Sequence, residues 1–327
     1  LADDFAFIKK QGVFIFMGLV LMIGVSMQSL RTIRRLAVFG FLCAFAGVVL
    51  TYVVGDATKG AARWIKFAGF SLQPSEFIKP VFIVVTAWLL DANKRIEDFP
   101  GMTLAVGLFL LTALSVFGQP DLGMTVLISG VWALQMVWAG IPVWLIMTLF
   151  SAGLVLVTGS YFFLAHVRDR IDRFLASENE IGSQIQKSMD AFANGNLLGR
   201  GPGEGYVKMT LPDVHTDFIF ALAGEECGVW LTTIIVAAFA AIVVRSMTLS
   251  MRDNNLFVMY AASGLAASLG GQAIVNMCSA LQLMPAKGMT LPFVSYGGSS
   301  MLASCLAMGM LLAITRKNAA AEDKDNG

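Results

Sequence analysis

The chain has 327 residues, of which 57% are hydrophobic and 14% charged. Soluble domains carry about 25% charged residues, so most of this surface must face lipid rather than water. That excludes a soluble enzyme, a nucleic-acid binder and a disordered scaffold, and a net charge of +1 points to no polyionic partner.

About 20 apolar residues make one membrane crossing. Apolar runs bounded by charge, Gly or Pro predict nine helices, at roughly 12–30, 36–55, 74–91, 101–118, 121–140, 141–165, 217–244, 255–282 and 293–315. Helices are required because hydrocarbon cannot satisfy open backbone groups, and the short alternating segments of a β-barrel are absent. The expected fold is an all-α polytopic integral membrane protein with one large extracytoplasmic loop.

Basic residues in short loops set the orientation. Arg31, Arg34 and Arg35 follow the first span, Lys94 and Arg95 the third, Arg245 and Arg252 the seventh, and Arg316 and Lys317 the ninth. These alternate loops share the cytoplasmic side. Residues 1–327 then read as a single transmembrane domain, with 166–216 as a large periplasmic loop and 316–327 as a disordered cytoplasmic tail. The N-terminus falls outside without a signal peptide, which predicts one further helix upstream and a ten-helix parent. Cys43, Cys227, Cys278 and Cys305 lie in apolar stretches with neither metal nor disulfide spacing and read as inert core residues.

Charge inside a span is costly and marks a candidate site. Glu76 and Lys79 stand three apart on the third span, so they share a helix face and can pair or line a polar cavity. Glu225 and Glu226 lie within the seventh span, facing a cavity or a basic partner. Gln272 and Asn276, four apart on the eighth, read as interhelical hydrogen-bonding residues. Asp217 stands where the outer loop enters the seventh span, either as a helix cap or as a general base at the membrane surface, with His215 as a second acid–base candidate. The run Gly195–Gly205 reads as a flexible turn or as an anion-binding nest of backbone N–H groups. The Pro, Gly and Ser residues of the segment 284–300 break regular helix, which is tolerated at a cavity wall; Lys287 and Ser295 belong to it. The outer loops also carry Lys59, Arg63, Lys66, Arg168, Arg170, Arg173, Lys187, Arg200, Lys208 and Lys287, which membrane topology does not require; partly balanced by acidic neighbours, they read as a solvated loop or as a cationic site for an anionic substrate.

Four motifs together resemble the SEDS family (shape, elongation, division and sporulation): Arg63-Trp64-Ile65 followed by Gln73-Pro74-Ser75-Glu76; Gln119-Pro120-Asp121-Leu122-Gly123; His215-Thr216-Asp217-Phe218; and Pro292 through Ser300. The lysine–glycine pair Lys287-Gly288 is similar to the division-associated members rather than the elongation-associated ones.

The resemblance implies a ten-helix fold and a peptidoglycan glycosyltransferase. Its substrate would be lipid II, polymerised into glycan strands with undecaprenyl pyrophosphate leaving, at the division septum of the bacterial inner membrane. It implies Asp217 as the catalytic base. It implies a substrate-binding set of Arg63, Trp64, Lys66, Glu76, Lys79, Arg200, His215, Lys287 and Ser295. A class B penicillin-binding protein (a transpeptidase) and other divisome membrane proteins are the implied partners. No cofactor is required by the residues, although a divalent cation (Mg or Mn) can take part of the cationic role at a pyrophosphate. The rival readings are a lipid II flippase, and a scaffold without chemistry.

Overall fold

The computed structural model describes residues 4–54, 56–58, 61–67, 70–119, 121–165, 167–169, 172, 184–206, 214–284 and 288–316. Two helices, α1 (Asp4–Ser26) and α2 (Leu30–Val54), lead into three short strands, β1 (Asp56–Thr58), β2 (Ala61–Phe67) and β3 (Phe70–Leu72). There follow α3 (Pro74–Arg95), α4 (Gly101–Gly118), α5 (Leu122–Trp138), α6 (Val143–Phe163), α7 (Gln184–Gly195), α8 (Ile219–Met251), α9 (Leu256–Ala280) and α10 (Gly298–Thr315). Among the described residues, six helices are long and apolar enough to cross a membrane: α1, α2, α4, α8, α9 and α10. Each of the nine expected spans falls on a helix, but α3 is too charged to qualify by composition, and α5 and the apolar stretch Ser151–Phe163 of α6 are shorter than a full crossing.

The all-α expectation needs one correction. Strands β1, β2 and β3 form an antiparallel meander in the order β1-β2-β3, with Thr58 opposite Ala61 and Phe67 opposite Phe70. Lys59-Gly60 and Ala68-Gly69 punctuate the sequence at the two connections. Two-residue, glycine-containing connections between extended runs are a hairpin signal, which the strong helical hydropathy on either side conceals.

The chain divides into two compact units. The first comprises 1–135, 239–272 and 292–327. Within it, α3 is buried along most of its length. Close helix approach comes from small residues: a side chain at Gly47 of α2 would meet Pro74 of α3 at 2.9 Å. Gln135 of α5 donates from Nε2 to the carbonyls of Ile83 (2.9 Å) and Tyr260 (3.2 Å), fastening α5 to α3 and α9. Gln73 N donates to Ser299 Oγ (3.0 Å), and that hydroxyl donates to the carbonyl of Ser71 (3.2 Å), which ties the start of α3 to the first turn of α10.

The second unit comprises 136–238 and 273–291. There α7 packs Phe192 against Phe220 of α8, with ring centroids 5.7 Å apart. Ser188 Oγ of α7 donates to the carbonyl of Ala280 at the end of α9 (2.7 Å). The four cysteines are free, and Cys43 lies exposed rather than in the core.

Candidate functional site

In the first unit, Glu76 and Lys79 meet as the sequence spacing requires. Lys79 Nζ lies 2.7 Å from Glu76 Oε2 and donates to Gln272 Oε1 at 2.5 Å, with all three residues buried. Pro80 follows at once. It has no N–H for the carbonyl four residues earlier, that of Glu76, so the ladder is interrupted beside the charged pair. Gln272 therefore serves the lysine of α3 as an acceptor, the interhelical role expected of it.

Arg63, on β2, turns away from the role of an isolated cation. Its guanidinium lies 3.2 Å from Asp121 Oδ2, and Nε donates to the carbonyl of Gln119 (2.8 Å). Asp121 uses its other oxygen to accept the N–H of Met124 (3.1 Å) in the first turn of α5, a capping contact. Gln119 Nε2 donates in turn to Thr51 Oγ1 of α2. The Gln119-Pro120-Asp121 motif thus anchors the strand that carries Trp64, which is half-buried. Nothing in sequence order joins Arg63 to Asp121; the cue was two opposite charges in loops that the span pattern expects on one side of the membrane. The side chain of Lys66 lies outside what is described. Ser295 is buried, and its carbonyl accepts from Gln11 Nε2 (3.4 Å).

In the second unit, Asp217 stands in the turn immediately before Ile219, where α8 begins, and is half-buried. A side chain built at Gly288, which has φ +60°, would contact Asp217 Oδ2 at 3.4 Å. The carboxylate therefore borders the segment after α9 that Lys287 belongs to in sequence. Lys287 itself, like Lys59, Arg170, Arg173 and Lys208, lies outside the described residues. His215 and Arg200 are exposed; Arg200 reaches Asn194 Oδ1 at 3.4 Å.

The glycine run has a different use from the anion nest. Gly228 breaks α8, with φ +76° and ψ −173°. The run 195–201 lies in that break. Arg200 N and Gly201 N donate to the carbonyls of Glu225 (3.0 Å) and Glu226 (2.9 Å), and Val229 N donates to the carbonyl of Asn196 (3.1 Å). These N–H groups satisfy the α8 backbone and are not open to an anion. Glu225 is fully buried and accepts the N–H of Tyr206 at 3.0 Å. One of its partners is thus a main-chain donor of the loop. Among the described residues, no group of three His, Cys, Asp or Glu side chains converges to hold a metal.

With that geometry in view, the comparisons with known proteins decide the family. The chain matches the FtsW/RodA/SpoVE family, described as cell cycle proteins, over residues 1–320. It belongs to this family. A probable peptidoglycan glycosyltransferase FtsW of Caulobacter vibrioides is 42% identical over 315 residues, covering 96% of this chain and 81% of its own. A protein of the same description from Geobacter metallireducens is 37% identical, with 96% and 86% covered. A chain of a peptidoglycan synthase complex, solved for the coordination of polymerization and crosslinking, superposes with a TM-score of 0.80 at 27% identity, covering 97% of this chain and 91% of that one. The rod shape determining protein RodA of Thermus thermophilus superposes with a TM-score of 0.68 at 25% identity, with 95% and 88% covered. The four motifs and the lysine–glycine pair thus led to the right family, and to relatives that carry the division member's name. Membership and the long apolar helices together make this an integral membrane protein of the bacterial inner membrane.

Proposed function

We propose that this chain is a peptidoglycan glycosyltransferase that polymerises lipid II at the division septum. The observation that carries the reading is the placement of Asp217. This carboxylate stands at the entry of a long apolar helix, against the Gly288 backbone of the segment containing Lys287. Asp217 takes the proton from the 4-hydroxyl of the incoming lipid II sugar. The resulting oxygen nucleophile attacks the anomeric carbon of the growing glycan, and the bond to pyrophosphate breaks. Undecaprenyl pyrophosphate leaves with the electron pair. Cations are needed where that charge develops; Lys287 and Arg200 are assigned to it, and a divalent ion such as Mg or Mn would be the alternative source. Arg63, held by Asp121, has the separate task of fixing the strand that presents Trp64. His215 and Ser295 complete the substrate-binding set.

The reaction fits a nine-span topology, with residues 166–216 and the catalytic face in the periplasm and the 316–327 tail in the cytoplasm. Glu76 and Lys79 form a polar wall within the spans. A class B penicillin-binding protein crosslinks the product, as the related synthase complex combines polymerization with crosslinking.

The test is Asp217→Asn, purified with the transpeptidase. The expected result is a fall in lipid II polymerisation of roughly 100- to 10,000-fold with folding and lipid II binding retained. Polymerisation at the wild-type rate sinks the base assignment, and transport of labelled lipid II by the isolated chain in vesicles favours a flippase.

A further inference from the structure

Asn276 lies on the last turns of α9 and is 1% exposed. Among the described residues its side chain has no helix partner. Instead Nδ2 donates to two main-chain carbonyls, that of Asp217 at 2.9 Å and that of Met289 at 2.7 Å. The two acceptors are 72 residues apart in sequence, one in the turn before α8 and the other in the segment after α9. The amide orientation is forced, because the opposite one would press Oδ1 against two carbonyl oxygens. Oδ1 is buried without a hydrogen-bond partner among the described residues, so the amide is held by its donors.

From this arrangement we infer that Asn276 is a positioning residue for the glycosyl transfer. Its NH2 group clamps the backbone of Asp217 to the Gly288–Met289 backbone, and so sets where the Asp217 carboxylate stands relative to the Lys287 segment. The inference rests on the reading of Asp217 as the base. Three features support it. Both hydrogens of a single NH2 are used, so an alcohol, with one hydrogen, cannot make both bonds and a carboxylate can make neither. The bond to Met289 is buried and that to Asp217 partly buried, where an unpaired carbonyl is costly and the segments have reason to stay together. Finally, Gly288 has a left-handed φ and lies beside Asp217 Oδ2, so a small slip of either segment changes the surroundings of the carboxylate. Misplacement by about 1 Å can cost 100-fold in rate.

The experiment compares Asn276→Ala, Asn276→Asp and Asn276→Gln in the full chain with its transpeptidase partner, scored by lipid II turnover, lipid II binding, melting, and hydrogen–deuterium exchange of individual peptides. Asn276→Ala is expected to lower turnover roughly 10- to 100-fold with binding and melting retained. It should also speed exchange in segments 214–218 and 288–291 together, and not in 74–95. Asn276→Asp keeps the shape, removes both hydrogens, and is expected to do at least as much. Asn276→Gln keeps the NH2 group and is expected to recover part of the rate. If the alanine variant does not fold, the Asp and Gln pair decides. Wild-type turnover in Asn276→Asp overturns the clamp, as does faster exchange in only one segment, or a rate loss equal to the loss of folded protein. Asp217→Asn keeps the two readings distinguishable. If it retains turnover, the base assignment fails, while exchange in the Asn276 variants still reports whether the two segments are held as one.

Discussion

Lys79 and Glu76 form a buried ion pair one turn apart on α3, with the lysine also bonded to Gln272 of α9. Two charges taken out of water need each other, and removing one strands the other. Glu76→Ala should therefore destabilise the protein by about 3–5 kcal/mol and weaken polymerisation, measured as a fall in the melting midpoint and in lipid II turnover. Glu76→Gln with Lys79→Met, which removes both charges, should melt closer to wild type than either single change. Unchanged melting and rate in Glu76→Ala would count against any role for the pair.

Arg63 and Asp121 predict a different signature. If the bridge anchors the strand of Trp64, Arg63→Ala and Asp121→Ala should each lower activity, and the double variant should be little worse than either. The coupling should be about 0.5–3 kcal/mol, read from a double-mutant cycle on turnover. Additive losses would mean that Arg63 acts on the substrate independently of Asp121.

The break in α8 admits only glycine. A side chain at Gly228 would meet the carbonyl of Leu197 at 2.4 Å, on a backbone with φ +76°. Gly228→Ala should lose roughly 2–5 kcal/mol and detach the 195–201 run, seen as lower melting and faster proteolysis of the 196–206 loop. Wild-type melting would show that the break is not needed.

Gly288→Ala tests the border of the Asp217 carboxylate with a smaller change. The left-handed φ of +60° costs an alanine about 1–2 kcal/mol, while its Cβ would make only ordinary contact with Asp217 Oδ2 at 3.4 Å. Turnover should drop several-fold with the global melting point shifted little. A full rate would separate the 288 backbone from the chemistry.

The hydropathy and the motifs made much of this protein legible before any coordinates. Apolar runs of membrane length can only be helices, because backbone groups in hydrocarbon must pair within the segment. Spacings of three and four residues on a helix also determine which side chains share a face, as with Glu76 and Lys79. The limits of that logic were long-range. Arg63 carried a charge that one strand cannot place; its partner Asp121 is 58 residues away, and only folding brings the meander onto the α4–α5 turn. The glycine run looked open to an anion because sequence does not reveal whether N–H groups are already used. Two of its N–H groups, those of Arg200 and Gly201, are taken by the carbonyls of Glu225 and Glu226 at the Gly228 break. Asn276 had an expected polar role on α9, but its partners are carbonyls, which every residue possesses and no sequence pattern marks. Local periodicity and the cost of burying polar groups were thus enough to specify helices and their apolar character, while the family rested on the resemblance of four motifs. Which buried donor meets which acceptor was decided by the tertiary structure, because hydrogen bonds and ion pairs act over about 3 Å between groups that chain order leaves far apart.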